Sequence, residues 1–229
     1  NGEMGVHAGI EYTFSKNSFL GGKYGTNFSI SYSLIKDIKK EALSPEIPID
    51  STGTIGYSSD FFAFGDRKFY EDLKVQISKK FTPRFNIIAA YFNQVYDKDV
   101  IEGHNNEYGK VYANIGVLDM TYRINDLHSI RLELQTLFTE QDRGNWMGAT
   151  IEYAIAPKWF FSLGDQYNYG NDNVDEQIHY YNISFGYTHQ STRISLSYGR
   201  QDDGLLCVGG ICRFVPAYTG FGLTISSNF

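Results

Sequence analysis

The sequence contains no hydrophobic run long enough to cross a membrane as a helix. Its longest clean apolar stretch, Ile87-Ile88-Ala89-Ala90-Tyr91-Phe92, falls far short of the roughly 18 to 20 residues that such a helix needs, which excludes helical membrane proteins. Cationic clusters are equally scarce. The densest is Lys36-Asp37-Ile38-Lys39-Lys40, and the formal net charge is -6. A chain without a basic footprint has no electrostatic match to DNA or RNA, so no nucleic-acid partner is expected. Only 5 prolines stand against 23 glycines, and 20% of residues are charged. With a mean hydropathy of -0.32, this is not the composition of a disordered or low-complexity chain. No signal peptide precedes Asn1, which fits a mature or truncated chain. Gly21-Gly22-Lys23 is followed by Tyr24 and by no helical pattern, so it is not read as a phosphate loop, and no cofactor or metal is expected.

What is abundant is aromatic residues, at 16% of the chain, and strict alternation. A strand sends successive side chains to opposite faces, so a two-faced wall reads apolar, polar, apolar. Val6-Ala8-Ile10-Tyr12-Phe14 interleaves with His7, Gly9, Glu11 and Thr13; Phe28-Ile30-Tyr32-Leu34 interleaves with Asn27, Ser29, Ser31 and Ser33. Leu73-Val75-Ile77 opposes Lys74 and Gln76, Ile130-Leu132-Leu134 opposes Arg131 and Glu133, and Met147-Ala149-Ile151 opposes Gly148, Thr150 and Glu152. The pattern returns at Ile183-Phe185-Tyr187, at Ile194-Leu196-Tyr198 opposite Arg193, and at Phe221-Leu223-Ile225. Eleven strands are predicted, near 3–14, 24–36, 66–80, 84–97, 107–123, 128–140, 145–155, 158–170, 177–189, 192–202 and 215–229. Most are longer than the five or six residues usual in soluble sheets and reach the roughly 9 to 11 that a tilted strand needs to cross a bilayer.

The connections sort by length. Short turns are expected at 81–84, 125–127, 156–158 and 189–191, and longer polar loops at 36–65, 97–107, 141–145, 170–176 and 201–213. A spanning sheet must close on itself, with apolar side chains to lipid and polar ones to the lumen. The expected fold is therefore all-β, an antiparallel transmembrane β-barrel; a soluble two-sheet sandwich is the competing reading. Aromatics near the strand ends, Phe81, Phe85, Tyr122, Trp159-Phe160-Phe161 and Tyr187 at one end and Phe138, Trp146, Tyr167 and Tyr169 at the other, are read as two interfacial girdles. The chain ends on Phe229 with Phe221, Leu223 and Ile225 in phase, which resembles the terminal signal recognised by the outer-membrane assembly machinery of Gram-negative bacteria. With Phe229 on the periplasmic side, short turns fall in the periplasm and long loops outside. Eleven is odd, whereas bacterial single-chain barrels have even strand numbers; residues 1–229 are therefore expected to be the C-terminal part of a larger barrel, the other explanation being a miscount around 51–65.

Gly21-Gly22-Lys23-Tyr24-Gly25-Thr26-Asn27 and Cys207-Val208-Gly209-Gly210-Ile211-Cys212-Arg213, with Val215-Pro216-Ala217, resemble the C-terminal half of an uncharacterised porin-like outer-membrane family of Bacteroidota type. The resemblance implies an outer-membrane location and carries no assigned chemistry. Expected partners are outer-membrane lipids, the assembly machinery, and other outer-membrane proteins or lipoproteins. Cys207 and Cys212, in an oxidising compartment, are expected to form a disulfide that shapes their loop.

Lumen-facing charges are expected at His7, Glu11, Lys74, Arg131, Glu133, Glu152 and Arg193. Two readings of this stripe stand: a polar solute path, or a salt-bridged plug of side chains across a narrow barrel. Asp172, Asp175, Glu176, Asp202 and Asp203 are solvated loop charges or, less simply, hard oxygen ligands for Ca²⁺. His104 with Asp97, Asp99, Asp202 and Asp203 loosely resembles the groups of outer-membrane barrel hydrolases, but spacing alone assembles no catalytic geometry, and His128-Ser129 adjacency makes no nucleophile and base. The chain is not expected to be an enzyme. Its expected function is porin-like passage of small solutes; the second reading is an accessory barrel subunit of an outer-membrane assembly, and the third a barrel hydrolase.

Overall fold

The computed structural model describes residues 2–47, 49, 56–103, 107–202, 204–208 and 211–227, with the side chains of 204–208 and 211–215 outside the description. The first strands are β1 (Glu3–Phe14), β2 (Thr26–Ile38), β3 (Glu41–Ala42), β4 (Tyr57–Ser58), β5 (Phe64–Thr82) and β6 (Phe85–Asp97). A short helix α1 (Lys98–Glu102) follows, then β7 (Lys110–Arg123), β8 (His128–Phe138), β9 (Trp146–Ile155) and β10 (Trp159–Tyr167). A single 3-10 turn at Val174–Glu176 precedes β11 (His179–His189), β12 (Thr192–Gln201), β13 (Gly204–Val208), β14 (Ile211–Val215) and β15 (Tyr218–Ser227).

Eleven strands form one antiparallel sheet in chain order, β1, β2, β5 through β12 and β15, while β3 with β4 and β13 with β14 form separate hairpins. The 51–65 stretch thus adds no strand to the large sheet among the described residues: β4 pairs only with β3, and β5 begins at Phe64. The large-sheet strands run from 9 to 19 residues, long enough to cross a bilayer. Short turns gather at one end and longer connections at the other, with one exception: the 15–25 connection, at the short-turn end, is itself long.

The distribution of side chains inverts that of a soluble domain. Ile151, Leu163, Ile183, Tyr198 and Phe221 lie opposite one another on successive strands and are 45–78% exposed. One residue away, on the other face, Arg131, Glu152, Ser162, Ser184 and Ser197 form the neighbouring row. Glu152 and the three serines are only 5–8% exposed. A soluble sandwich buries its apolar rows, so this arrangement removes that reading. Each large aliphatic side chain left in water forgoes about 1.5–3 kcal/mol, and a contiguous apolar face of this extent marks a surface built for an apolar neighbour.

The polar face is covered because the sheet curls. Ile115 of β7 and Gln201 of β12 line one cavity of about 330 Å³, although a flat sheet would hold these strands roughly 24 Å apart. Arg143, in the β8–β9 connection, likewise reaches Asp202, beyond β12, at 2.5 Å. Among the described residues the sheet does not close: β1 and β15 each have one partner, and both run toward the short-turn end.

The girdle expectation needs correction at two residues. Trp159 and Phe161 are exposed on the apolar face, but Phe160, between them, points to the covered face and is 7% exposed. Trp146 also faces inward, lining the cavity with Gln135, Gln166 and Gln201. A cluster of aromatics at a strand end necessarily splits between faces, because successive side chains alternate.

Candidate functional site on the covered face

The ladder register brings together charges that are far apart in sequence. Asp119 of β7 faces Glu133 of β8, and Arg131, two residues from Glu133 on the same face, faces Glu152 of β9. Arg131 becomes a hub: its Nε donates to Asp119 Oδ2 at 2.6 Å, and its two terminal nitrogens donate to Glu133 and Glu152. The planar guanidinium has five N–H donors in a fixed fork, which is why one arginine can hold three carboxylates. One guanidinium thus faces three carboxylates. Gln135 adds a donor to Glu133.

Arg193 is held differently. Its guanidinium stacks over the Phe160 ring at 3.9 Å, a contact that an arginine plane makes well. Space for that ring comes from β11, where a Cβ at Gly186 would stand 1.8 Å from Phe160. Between β11 and β15 the lining is neutral and hydrogen-bonded: Ser184 Oγ donates to Asn182 Oδ1 at 2.7 Å, and Asn182 Nδ2 donates to the Tyr218 hydroxyl at 3.1 Å.

Three other sequence-selected charges share this face on β1 and β5. His7 Nδ1 is 2.9 Å from Ser33 Oγ, Glu11 accepts from Asn27 Nδ2 at 2.6 Å, and Lys74 Nζ lies 5.5 Å from the centre of the Phe92 ring. The structure therefore places Arg131, Glu133 and Glu152 in one contact network, while His7, Glu11 and Lys74 meet Ser33, Asn27 and Phe92 and Arg193 stacks on Phe160. Sequence reasoning passed over Asp119. Its flanks, Val117-Leu118 and Met120, hide the alternation, and only the register exposes its role.

Four of the loop acids, Asp97, Asp99, Glu176 and Asp202, have structural employment. Asp97 caps α1 by accepting from the Val100 N–H and pairs with Arg67 Nε at 2.8 Å. Asp99 accepts the backbone N–H groups of Tyr108, Glu107 and Gly109 at 2.8–3.0 Å, closing the 98–109 loop on itself. Those donors, Tyr108 first, hold its carboxyl below the ordinary aspartate range. Glu176 accepts from Asn171 and Asn173, Asp202 pairs with Arg143, and Asp172 and Asp175 lie on the surface of the 168–178 loop. Asn168, 1% exposed, ties that loop to its neighbour by donating to the carbonyls of Arg143 and Asn145. His104 and Asp203 lie outside the described residues. His128 contacts the Tyr153 hydroxyl, not Ser129. Among the described residues, no three His, Cys, Asp or Glu side chains converge on a metal-sized site.

Cys207 and Cys212 stand directly opposite each other in the β13–β14 ladder, with their side chains outside the description. Phe221, Leu223 and Ile225 share the apolar face of the edge strand β15 at 64–78% exposure, and Phe229 lies outside the described residues.

Among solved structures, this chain is distantly similar to a KdgM porin, at 13% identity with a TM-score of 0.35 over 86% of each chain. The same porin in complex with disordered oligogalacturonate aligns at 12% identity and a TM-score of 0.36, over 99% of this chain and 95% of that one. A triple mutant of the Rhodopseudomonas blastica porin aligns at 11% identity and 0.29, over 86% and 85%. No curated protein matches in sequence. A family model does match, over residues 1–229, and the whole described wall, hub and loops included, falls within it: the chain belongs to the family of unknown function DUF6029.

Proposed function

We propose that this chain forms the wall of a β-barrel in the bacterial outer membrane and that the barrel passes small polar solutes in the manner of a porin. One observation carries the reading: long strands whose apolar face is exposed and whose covered face holds charges of both signs. Hydrocarbon is the solvent that the first face fits, and water or opposite partners satisfy the second. Because β1 and β15 run the same way, closure onto each other would require a parallel pair. An odd number of additional strands keeps every pair antiparallel and gives an even total. In this reading Arg131 and Arg193 stand beside the solute path, the short turns and the C-terminus lie in the periplasm, and Phe221, Leu223 and Ile225 with Phe229 are the assembly signal.

Planar-bilayer recording on the purified protein, with its cysteines oxidised, tests the proposal. Steady openings with a reversal potential that shifts on Arg193→Glu are expected. Silence from correctly folded protein overturns the pore and favours the accessory-subunit reading, for which the two open edges and the long loops offer docking surfaces; partners would then co-purify in gentle detergent.

A further inference from the structure

We propose that the short-turn end of the sheet carries a rim for anionic phospholipid headgroups, centred on the 15–25 connection. The inference rests on the membrane-barrel reading and adds a lipid class and a location to it. The 15–25 connection is long where its counterparts are minimal, and it is internally fixed. The Asn17 N–H donates to the Gly22 carbonyl at 2.6 Å, the Gly22 N–H to the Ser18 carbonyl at 2.9 Å, and Ser18 Oγ to the Ser15 carbonyl at 2.7 Å. At Gly21 a Cβ would stand 1.9 Å from the Ser15 carbonyl oxygen, so the turn admits only glycine there.

The turn is also pinned to the apolar side of the sheet. The Leu20 carbonyl accepts from Thr26 Oγ1 at 2.7 Å and from Lys79 Nζ at 3.2 Å. Thr26 and Lys79 oppose each other two residues beyond the Phe28 and Ile77 pair and therefore share its face. The result places Phe19 at 99% exposure and Leu20 at 52% at the edge of the apolar belt. A hydrogen-bonded turn that holds an aromatic ring wholly outside the protein serves no intramolecular packing.

Charge identifies what the ring meets. The connections and strand ends at 15–26, 79–86 and 121–128 carry Lys16, Lys23, Lys79, Lys80, Arg84 and Arg123 against one carboxylate, Asp126. The chain as a whole is net negative, at -6, so the positive balance of these segments is local and comes from their shortage of carboxylates. Apolar side chains with flanking lysines are the chemistry of an interfacial anchor, the ring entering the acyl boundary while the ammonium groups remain at the phosphates. Near an anionic surface each lysine contributes about 1 kcal/mol, or about fivefold in affinity.

The test uses the folded protein in lipid nanodiscs containing phosphatidylcholine and phosphatidylglycerol, with bromine placed on one lipid or the other. A Phe19→Trp, Trp146→Phe, Trp159→Phe protein reports the turn. A Trp146→Phe protein reports Trp159, which is 38% exposed on the apolar face. The expected result is quenching of the residue-19 indole that is stronger with brominated phosphatidylglycerol than with brominated phosphatidylcholine at equal content. Its midpoint should move about fivefold to higher anionic-lipid fraction for each of Lys16→Gln and Lys23→Gln. Equal quenching by both lipids overturns the headgroup assignment. A residue-19 indole that neither lipid quenches, while Trp159 is quenched, overturns the rim and leaves the barrel intact. If neither position is quenched in folded protein, the membrane reading falls and the rim falls with it. Should the double Trp→Phe background not fold, the difference between Phe19→Trp and the wild type supplies the same readout.

Discussion

Replacing Arg131 with methionine removes one cation and leaves Asp119, Glu133 and Glu152 facing one another. Glu152 is the most enclosed of the three, with a side chain 8% exposed, against 16% for Glu133 and 17% for Asp119. Removing one partner of a buried ion pair costs about 3–5 kcal/mol, because the charge left behind has lost both water and counter-ion. Arg131 itself is 29% exposed, so water entering the vacated space returns part of that loss, and about 3 kcal/mol is the working figure. The second variant decides the mechanism: Arg131→Met with Glu152→Gln removes the most enclosed charge, and the cycle should show a coupling of about 2 kcal/mol. Equilibrium urea unfolding in phospholipid vesicles, followed by tryptophan fluorescence, measures both. If Arg131→Met unfolds within about 0.5 kcal/mol of the wild type, the hub contributes nothing to the fold and the electrostatic argument is wrong.

Gly186→Val should destabilise the protein by about 1–3 kcal/mol by driving a side chain into Phe160, and Phe160→Ala in the same protein should relieve most of that cost in the same unfolding assay. Leu163→Arg, at mid-belt on the apolar face, should cost about 2–4 kcal/mol in vesicles, while Ser29→Arg, on the covered face beside Glu11, should be tolerated; equal costs would contradict the assignment of faces. The Asp99 carboxyl is held below its ordinary value of 3.8, so its contribution to the 98–109 loop is full above that value and is lost as pH falls below it. Hydrogen exchange or proteolysis at residues 107–109 should rise in that acid window, and Asp99→Asn should reproduce the change at neutral pH. Cys207 and Cys212, as a directly opposed cross-strand pair, sit within the Cα separation a disulfide spans; the untreated protein should take up alkylating reagent only after reduction, and immediate double alkylation would refute the bond.

The wall was legible in the sequence because its two faces differ in kind. Wherever apolar residues alternate with Ser, Asn, Gly or charge, as from Val6 to Phe14 and from Phe28 to Leu34, strand limits can be read to within a few residues. Legibility fails where the covered face is itself apolar. Ile115, Val117 and Phe160 point inward, so Asp119 looked like an isolated acid in an apolar run, and three consecutive aromatics at 159–161 looked like one girdle. The β3–β4 and β13–β14 hairpins carry no period-two contrast of their own, being short and held by backbone pairing. Asp97 and Asp99 drew notice as reactive groups, yet their work is turn closure, which depends on backbone N–H positions that no side-chain pattern records.

The alternation also bears on how such a chain is handled before it folds. Its apolar residues are dispersed one by one among polar ones, and the mean hydropathy of the chain is -0.32. An apparatus that sorts nascent chains by continuous hydrophobic length finds nothing to retain, since even the run from Ile87 to Phe92 is too brief. The greasy surface comes into being only when neighbouring strands bring every second side chain into register. Extended, the polypeptide is an ordinary water-compatible chain, and its apolar surface is created at the moment of assembly.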